Sequence, residues 1–288
     1  MKTFAIIDIG SNSVRLMYVA DGKVLYKAVN TTRLGEGLAD SPYLKGEAIE
    51  RSANAVWEFV SKAKQEGAEK VAIFATAAVR SAKNRGEFLS KVKALCGMDV
   101  DVISGEEEAE IGILGALGEQ DGGVIDIGGA STEIVIKESG KLIYQKSINV
   151  GVVRLKDAFG RDKESLFSFA RKASIEYGEV PNGKVLYAIG GTATTLGAIA
   201  TGLEEYSSEK VTGAEITLEQ MRSLAEEFLS KSAEEIAQMP CMPKGRADVI
   251  AGGAVLFQVL MERLGIEKII VSDRDNLEGY AIKLGWMK

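Results

Sequence analysis

At 288 residues, with 46% hydrophobic and 26% charged positions, the chain can bury one large core or two ordinary ones, and its length favours two. A net charge of −6 without a Lys/Arg block gives no electrostatic reason to expect nucleic acid. The absence of histidine removes the Ser-His-Asp triad, phosphohistidine chemistry and imidazole-bound zinc together, leaving carboxylates, hydroxyls, lysine, arginine or an oxygen-held metal for any catalysis.

The opening residues read as three strands, Thr3–Ile9, Val14–Ala20 and Val24–Thr32, with Asp21-Gly22 as a hairpin turn. A loop through Arg33-Leu34-Gly35-Glu36-Gly37 leads to a helix over 46–65, where Ile49, Ala53, Val56, Trp57 and Val60 recur at helical spacing. A strand at Lys70–Ala75, a helix at Asn84–Leu95, a strand at Val100–Ser104 and a helix from Gly105 to about Gly118 complete the first half. The second half repeats the order with strands at 122–126, 132–137 and 141–149, a helix over 162–177, a strand at 184–189 and a helix from Thr192. A helical insertion at about 217–239, broken by Pro240 and Pro243, precedes a helix over 246–264, the strand Lys268–Val271 and a last helix at 275–286. Both halves thus read βββαβαβα. The repetition predicts a duplicated α/β fold, with one domain of residues 1–118 and another of 119–288 facing each other across a cleft, and a last helix (275–288) free to pack back on the first.

The densest chemistry lies at Asp126-Ile127-Gly128-Gly129-Ala130-Ser131-Thr132-Glu133, a tight turn between two runs of β-formers. Backbone amides at Gly128, Gly129, Ala130 and Ser131 would crowd round an anion, and Asp126 and Glu133 offer oxygen ligands to a hard cation, the combination a phosphate–Mg²⁺ pair requires. The first hairpin echoes it with Asp8-Ile9-Gly10-Ser11-Asn12-Ser13, so that Asp8, Ser11, Asn12 and Ser13 would line the opposite wall. Each turn also reads as an ordinary glycine hairpin. Asp126 tips the balance, because an unpaired carboxylate at an apolar strand end is costly without a partner.

Ser104 and Glu107 form a capping-box pattern, and a structural account covers most of the run Glu106-Glu107-Glu108. Glu108 is the exception, since it shares a helix face with Ile111, Gly112 and Gly115 that would leave room for its carboxylate to meet a cleft. Arg80 follows a strand end, where α/β sites place ligand-binding groups, and suits a phosphate contact; a plain surface arginine is the other reading. Gly190-Gly191-Thr192 joins a strand to a helix, either as an anion-binding N-terminus or as a simple turn. Arg33 and Arg154 are candidates for more distant phosphates. Arg246, Asp248, Asp273 and Arg274 read as local ion pairs and caps, and Trp57 and Trp286 as core or interface material. Cys96 and Cys241 carry no metal-ligand spacing and read as reduced thiols. The N-terminus lacks a signal peptide's basic n-region and cleavage site, and the apolar stretch Val249 to Met261 contains Gln258 and falls short of the ~18 residues of a membrane span, so a cytoplasmic protein is expected.

Taken in order, Asp8-Ile-Gly-Ser-Asn-Ser13, Thr76-Ala-Ala-Val-Arg80, Ile103-Ser-Gly-Glu-Glu-Glu-Ala109, Ile125-Asp-Ile-Gly-Gly-Ala-Ser-Thr-Glu133 and Val271-Ser-Asp-Arg274 resemble the exopolyphosphatase and guanosine pentaphosphate phosphohydrolase (Ppx/GppA) family from end to end. That family lies within the actin/hexokinase/Hsp70 superfamily, so the resemblance implies two actin-like, ribonuclease H-like α/β domains. Ala130 stands where the family usually has a third glycine, which would narrow the phosphate loop, and the chain looks like the short form without a C-terminal helical extension. The resemblance further implies Glu108 as general base, Mg²⁺ (or Mn²⁺) as cofactor, and metal-dependent release of orthophosphate from the end of inorganic polyphosphate. Guanosine pentaphosphate is the close alternative substrate, and the superfamily position of Gly190-Gly191-Thr192 meets a nucleotide or phosphate tail. An ATP-dependent small-molecule kinase and a noncatalytic alarmone sensor are the readings from other classes. Neither nucleic acid nor membrane is expected as a partner, and a homodimer is one assembly open to the chain.

Overall fold

Each half of the chain opens with β-branched and aromatic runs broken by tight turns, and each run folds as a three-stranded antiparallel meander. The computed structural model describes residues 2–181 and 183–288. Its first meander is β1 (Thr3–Ile9), β2 (Val14–Ala20) and β3 (Lys23–Asn30), with Asp21 and Gly22 both at positive φ in the second turn. There follow α1 (Gly46–Gln65), β4 (Lys70–Ala75), α2 (Ala77–Ser81), α3 (Arg85–Cys96), β5 (Asp101–Val102) and α4 (Gly105–Leu117). The second meander is β6 (Gly122–Ile127), β7 (Thr132–Glu138) and β8 (Lys141–Ile148). Then come α5 (Val152–Phe159), α6 (Lys163–Ser174), β9 (Leu186–Ile189), α7 (Gly190–Ala200), α8 (Ser208–Val211), β10 (Glu215–Thr217), α9 (Leu218–Ser230), α10 (Ala233–Ala237), α11 (Ile250–Leu264), β11 (Lys268–Val271) and α12 (Asn276–Lys283).

The two sheets repeat one topology. Strand order is β3-β2-β1-β4-β5 in the first and β8-β7-β6-β9-β11 in the second, which adds β10 antiparallel at its far edge. β1 with β4 and β6 with β9 are the central parallel pairs. This is the duplicated, actin-like α/β architecture expected from the sequence. Among the described residues no helix is long and apolar enough to cross a membrane.

α1 and α3 cover one face of the first sheet through Ile49, Ala53, Val56, Val60, Phe88 and Val92, and the largest core lies between the second sheet and α6, α7, α9 and α11. The remaining face of each sheet is covered by a helix from the other half. Leu277, Tyr280 and Ala281 of α12 pack on Phe4, Ile6, Met17, Val19 and Phe74, whereas Ala109, Ile113 and Leu117 of α4 pack on Val124, Val135 and Ile189. Burying a leucine-sized side chain in this way contributes roughly 1.5–3 kcal/mol, so the exchange ties the halves together. The two helices cross at Gly115 and Gly279, where a β-carbon on either would run into the other segment's backbone.

Several element boundaries differ from expectation, each for a local reason. Expected strand Val100–Ser104 shrinks to two residues because Ser104 turns away to cap α4. The insertion breaks at extended Lys231, after which a Ser232–Glu235 capping box starts a new helix. The helix expected from Arg246 begins at Ile250, after Gly245 at φ +77° and a turn over 246–249. α2 and α5 are short helices that the periodicity did not register. Trp57, expected in a core or interface, is 47% exposed because the stripe Ile49, Ala53, Val56 and Val60 takes the buried side of α1; Trp286 packs edge-on against Phe4.

Candidate active site

Two copies of one hairpin loop meet at the junction of the halves. In each, the glycine that follows the strand donates its N–H to the carbonyl three residues on, Gly10 to Ser13 and Gly128 to Ser131, both at 3.0 Å. Each loop is strapped from outside by a neighbouring segment. Arg33 and Gly35 donate their amides to Asn12 and Ser11, and Val152 and Val153 at the start of α5 donate theirs to Gly128 and Gly129. The loops touch, since a β-carbon on Gly129 would lie 2.8 Å from Ser11 Cβ. Ala130 is accommodated without positive φ, so its methyl introduces no backbone strain at that position.

The loops close over a cavity of about 80 Å³. Of the residues singled out in the sequence, Asp8, Ser11, Asn12, Ser13, Glu108, Asp126, Gly128, Gly129, Ala130, Ser131, Gly190, Gly191 and Thr192 line it. α7 begins at Gly190, two residues before the expected Thr192, and turns its N-terminus to the cavity; Gly190 stands at φ +79°, where a β-carbon would lie 2.6 Å from Asp126 Oδ1. Thr192 is less available than its sequence suggests, because its hydroxyl donates to the Ile127 carbonyl at 2.8 Å.

Arg80 and Glu133 stand behind this lining. Arg80 Nη1 donates to Glu108 Oε2 at 2.9 Å and to the Ile103 carbonyl at 3.0 Å, so its charge rests on the glutamate. Glu133 faces Asp126 across the hairpin, takes a hydrogen bond from Ser147 Oγ at 2.6 Å on Oε1, and leaves Oε2 buried without a partner among the described residues. The capping box of Ser104 and Glu107 forms as expected. The small-residue face beside Glu108 does not open on a cleft, however. Gly112 and Gly115 give their space to Asn276 and Asp275 at the start of α12.

Electrostatically the site is short of positive charge on one wall and of negative charge on another. Burial pushes Asp126 up to about 8, with Asp275 and Glu108 adding repulsion. Burial also carries Glu108 up to about 7 against the pull of Arg80, and lifts Glu133 well above the usual carboxylate range, reinforced by Glu108 and Asp126. Asp8 is raised too, burial outweighing its bond from Arg15 Nε at 2.9 Å; its Oδ1 and both side-chain polar atoms of Asn12 are buried without a partner among the described residues. Orphaned acceptors and mutually repelling carboxylates are what a hard cation would satisfy. Among the described residues no three of His, Cys, Asp and Glu group tightly enough to hold an ion alone.

Arg15, Arg246 and Asn276 also line the cavity, though the sequence did not place them there. Arg246 corrects an expectation. Instead of a local ion pair, its guanidinium lies over Gly191 without an acidic partner among the described residues, and burial together with nearby Arg15 lowers it to about 10. The helix starts too late to absorb it, so the side chain reaches the cavity. Asp248 and Asp273 do form ion pairs, with Arg33 at 2.8 Å and Lys27 at 3.3 Å. Arg33 is thereby engaged, and Arg154, like it a candidate for more distant phosphates, donates to the carbonyls of Ala130 and Leu38, both at 3.0 Å. Arg15 had a signal in the sequence, because it occupies the offset from Asp8 that Glu133 occupies from Asp126.

A model of the Ppx/GppA phosphatase family matches residues 15–284. Exopolyphosphatase 2 of Mycobacterium tuberculosis is 32% identical over 97% of this chain and 98% of its own length. Guanosine-5′-triphosphate,3′-diphosphate pyrophosphatase of Photobacterium profundum is 31% identical over 98% of this chain, which spans 59% of that protein. Among solved structures, the Aquifex aeolicus Ppx/GppA family member superposes with a TM-score of 0.79 at 30% identity, covering 99% of this chain and 97% of its own.

Proposed function

Because the chain belongs to the Ppx/GppA phosphatase family, we propose that it hydrolyses the terminal phosphoanhydride of inorganic polyphosphate and releases orthophosphate. The observation that carries this reading is the convergence of two hairpin loops, the α7 N-terminus, Glu108 and Arg246, which has no acidic partner among the described residues, on one small polar cavity. Similarity that runs over 97% of this chain and 98% of an exopolyphosphatase adds to it.

In this reading the amides of residues 128–131 and the N-terminus of α7 take the oxygens of the phosphoryl group, and Arg246 takes charge from it or its neighbour. Asp126 and Glu133 would hold Mg²⁺ or Mn²⁺, which neutralises charge on the phosphoryl oxygens when bound. Glu108 accepts a proton from a water molecule while the water's oxygen forms a bond to the terminal phosphorus. The bridging P–O bond breaks, and its electrons leave with the shortened chain. A free glutamate is a weak base at neutral pH; burial raises Glu108 into the working range, and Arg80 keeps it ionisable and aimed.

One observation favours a second substrate. A larger cavity of about 640 Å³ adjoins the first and shares Arg15, Gly190, Gly191 and Arg246 with it. Its walls include Val24, Leu25, Val29, Leu277 and Met287, an apolar surface suited to a nucleoside, which would place the terminal phosphate of guanosine pentaphosphate in the small cavity. Orthophosphate release from long-chain polyphosphate and from guanosine pentaphosphate, measured side by side with and without Mg²⁺, tests both. Faster release from polyphosphate supports the first reading, faster release from the nucleotide supports the second, and release from neither removes both.

A further inference from the structure

The first turn of α12 is tied to both signature aspartates, one from each half: to Asp126 directly and to Asp8 through Arg15. Asn276 Nδ2 donates to Asp126 Oδ2 at 3.3 Å. The residue before it, Asp275, pairs with Arg15 Nη1, and Arg15 in turn holds Asp8 Oδ2 through Nε and Nη2. Asp275 and Asn276 are each 4% exposed, and Arg15 between the aspartates is half-buried. The turn itself has little freedom. Asp275 caps α12 by accepting from the Leu277 amide, its own amide donates to Glu278, and Glu278 is held by Lys27 Nζ at 2.8 Å. On its far side Asn276 rests against Gly112 of α4, where a β-carbon would lie 2.9 Å from Asn276 Oδ1.

We propose that Asn276 is a positioning residue for the phosphatase reaction: the Asp275-Asn276 turn holds Asp126 directly and Asp8 through Arg15, and sets their separation. α12 packs on the first sheet while Asn276 reaches an aspartate of the second, so the link spans the junction of the halves. An amide is well chosen for the task, because it donates to Asp126 without adding charge, leaving the other carboxylate oxygen free for a cation. The inference rests on the phosphatase reading and on Asp126 as a cation ligand.

Two near-isosteric variants test it. Asn276→Leu removes the donor, and Asn276→Asp keeps the shape while turning donor into acceptor. Mg²⁺ requirement is read twice at pH 8, from phosphate release and, without substrate, from the rise in unfolding temperature as Mg²⁺ is titrated. Loss of an outer-shell partner typically weakens metal affinity by about 10–100-fold, and that is the rise in half-saturating Mg²⁺ expected in both assays, with kcat lowered and the KM for polyphosphate changed less than about threefold. Should Asn276→Leu fail to fold, Asn276→Asp alone decides. Half-saturating Mg²⁺ unchanged or lower in the folded variants overturns the proposal while the parent's activity stands. An inactive parent that binds Mg²⁺ as expected would instead remove the phosphatase reading.

Discussion

Arg15 and Glu133 occupy the same place in two copies of one hairpin, each directly across the strand pair from its half's signature aspartate, Asp8 and Asp126. The duplication is therefore symmetric in backbone and antisymmetric in charge. Asp8 meets a guanidinium, whereas Asp126 meets a second carboxylate, a like-charge cross-strand pair that is destabilising unless something positive lies between. In the proposed reaction that asymmetry makes the second half the side that would hold the cation.

Arg15 joins Asp8 and Asp275, both buried, so Arg15→Leu leaves two carboxylates without their partner. Breaking a buried pair by removing one member costs roughly 3–5 kcal/mol, and urea denaturation of Arg15→Leu should show a loss of that order. A loss below about 1 kcal/mol would mean that the pair is solvent-screened like a surface ion pair.

Arg246 should behave in the opposite way. It is a largely desolvated cation without an acidic partner among the described residues, so Arg246→Gln is expected to leave the unfolding temperature unchanged or to raise it. Its absence should be felt by substrate. Loss of a charge-assisted hydrogen bond worth about 1.5–3 kcal/mol raises KM by roughly 10–100-fold. A variant that unfolds more easily with KM unchanged would make Arg246 a structural residue.

The raised carboxyls also determine a pH dependence. An acid whose folded pKa lies above its unfolded value favours the folded state below the unfolded pKa and withdraws that stability as pH rises through the folded one. For Asp126 that window runs from its ordinary 3.8 to about 8, and Glu108 falls within it at about 7. Asp275 runs the other way: despite burial, Arg15 and Lys27 hold it below 3.8, so its contribution is present above 3.8 and fails only in stronger acid. Without divalent cations, the unfolding temperature should fall between about pH 5 and pH 8, by several degrees if a few kcal/mol are involved. Mg²⁺ should restore more of it at pH 8 than at pH 5. A flat or rising profile without cation would contradict the charge assignment.

The sequence was most legible where one residue type had one physical reason to be present. Asp126 at the end of an apolar strand and the glycine turn after it placed the loop, and the echo at Asp8 placed its partner. The duplicated strand order followed from the same repeat. What escaped was decided by contacts between distant segments. Arg246 read as a helix residue because nothing local shows that Gly245 and the turn over 246–249 delay α11. Gly112 and Gly115 suggested space for a carboxylate, but the space belongs to α12, more than a hundred residues downstream. Arg33 and Arg154 looked free because their acceptors, Asp248 and the carbonyls of Ala130 and Leu38, come together only in the folded chain. Arg15 was within reach, had the offset between Asp126 and Glu133 been carried back to Asp8.

The role of Glu108 is tested most directly by Glu108→Gln, which keeps shape and a hydrogen-bonding oxygen for Arg80 but removes the base. Single-turnover phosphate release from polyphosphate should fall by about 10²–10⁴-fold, while polyphosphate still binds with an affinity within roughly threefold of the parent. Turnover within a few-fold of the parent, or loss of binding and folding together with activity per folded molecule preserved, would contradict it and reduce Glu108 to a residue of the α4 cap.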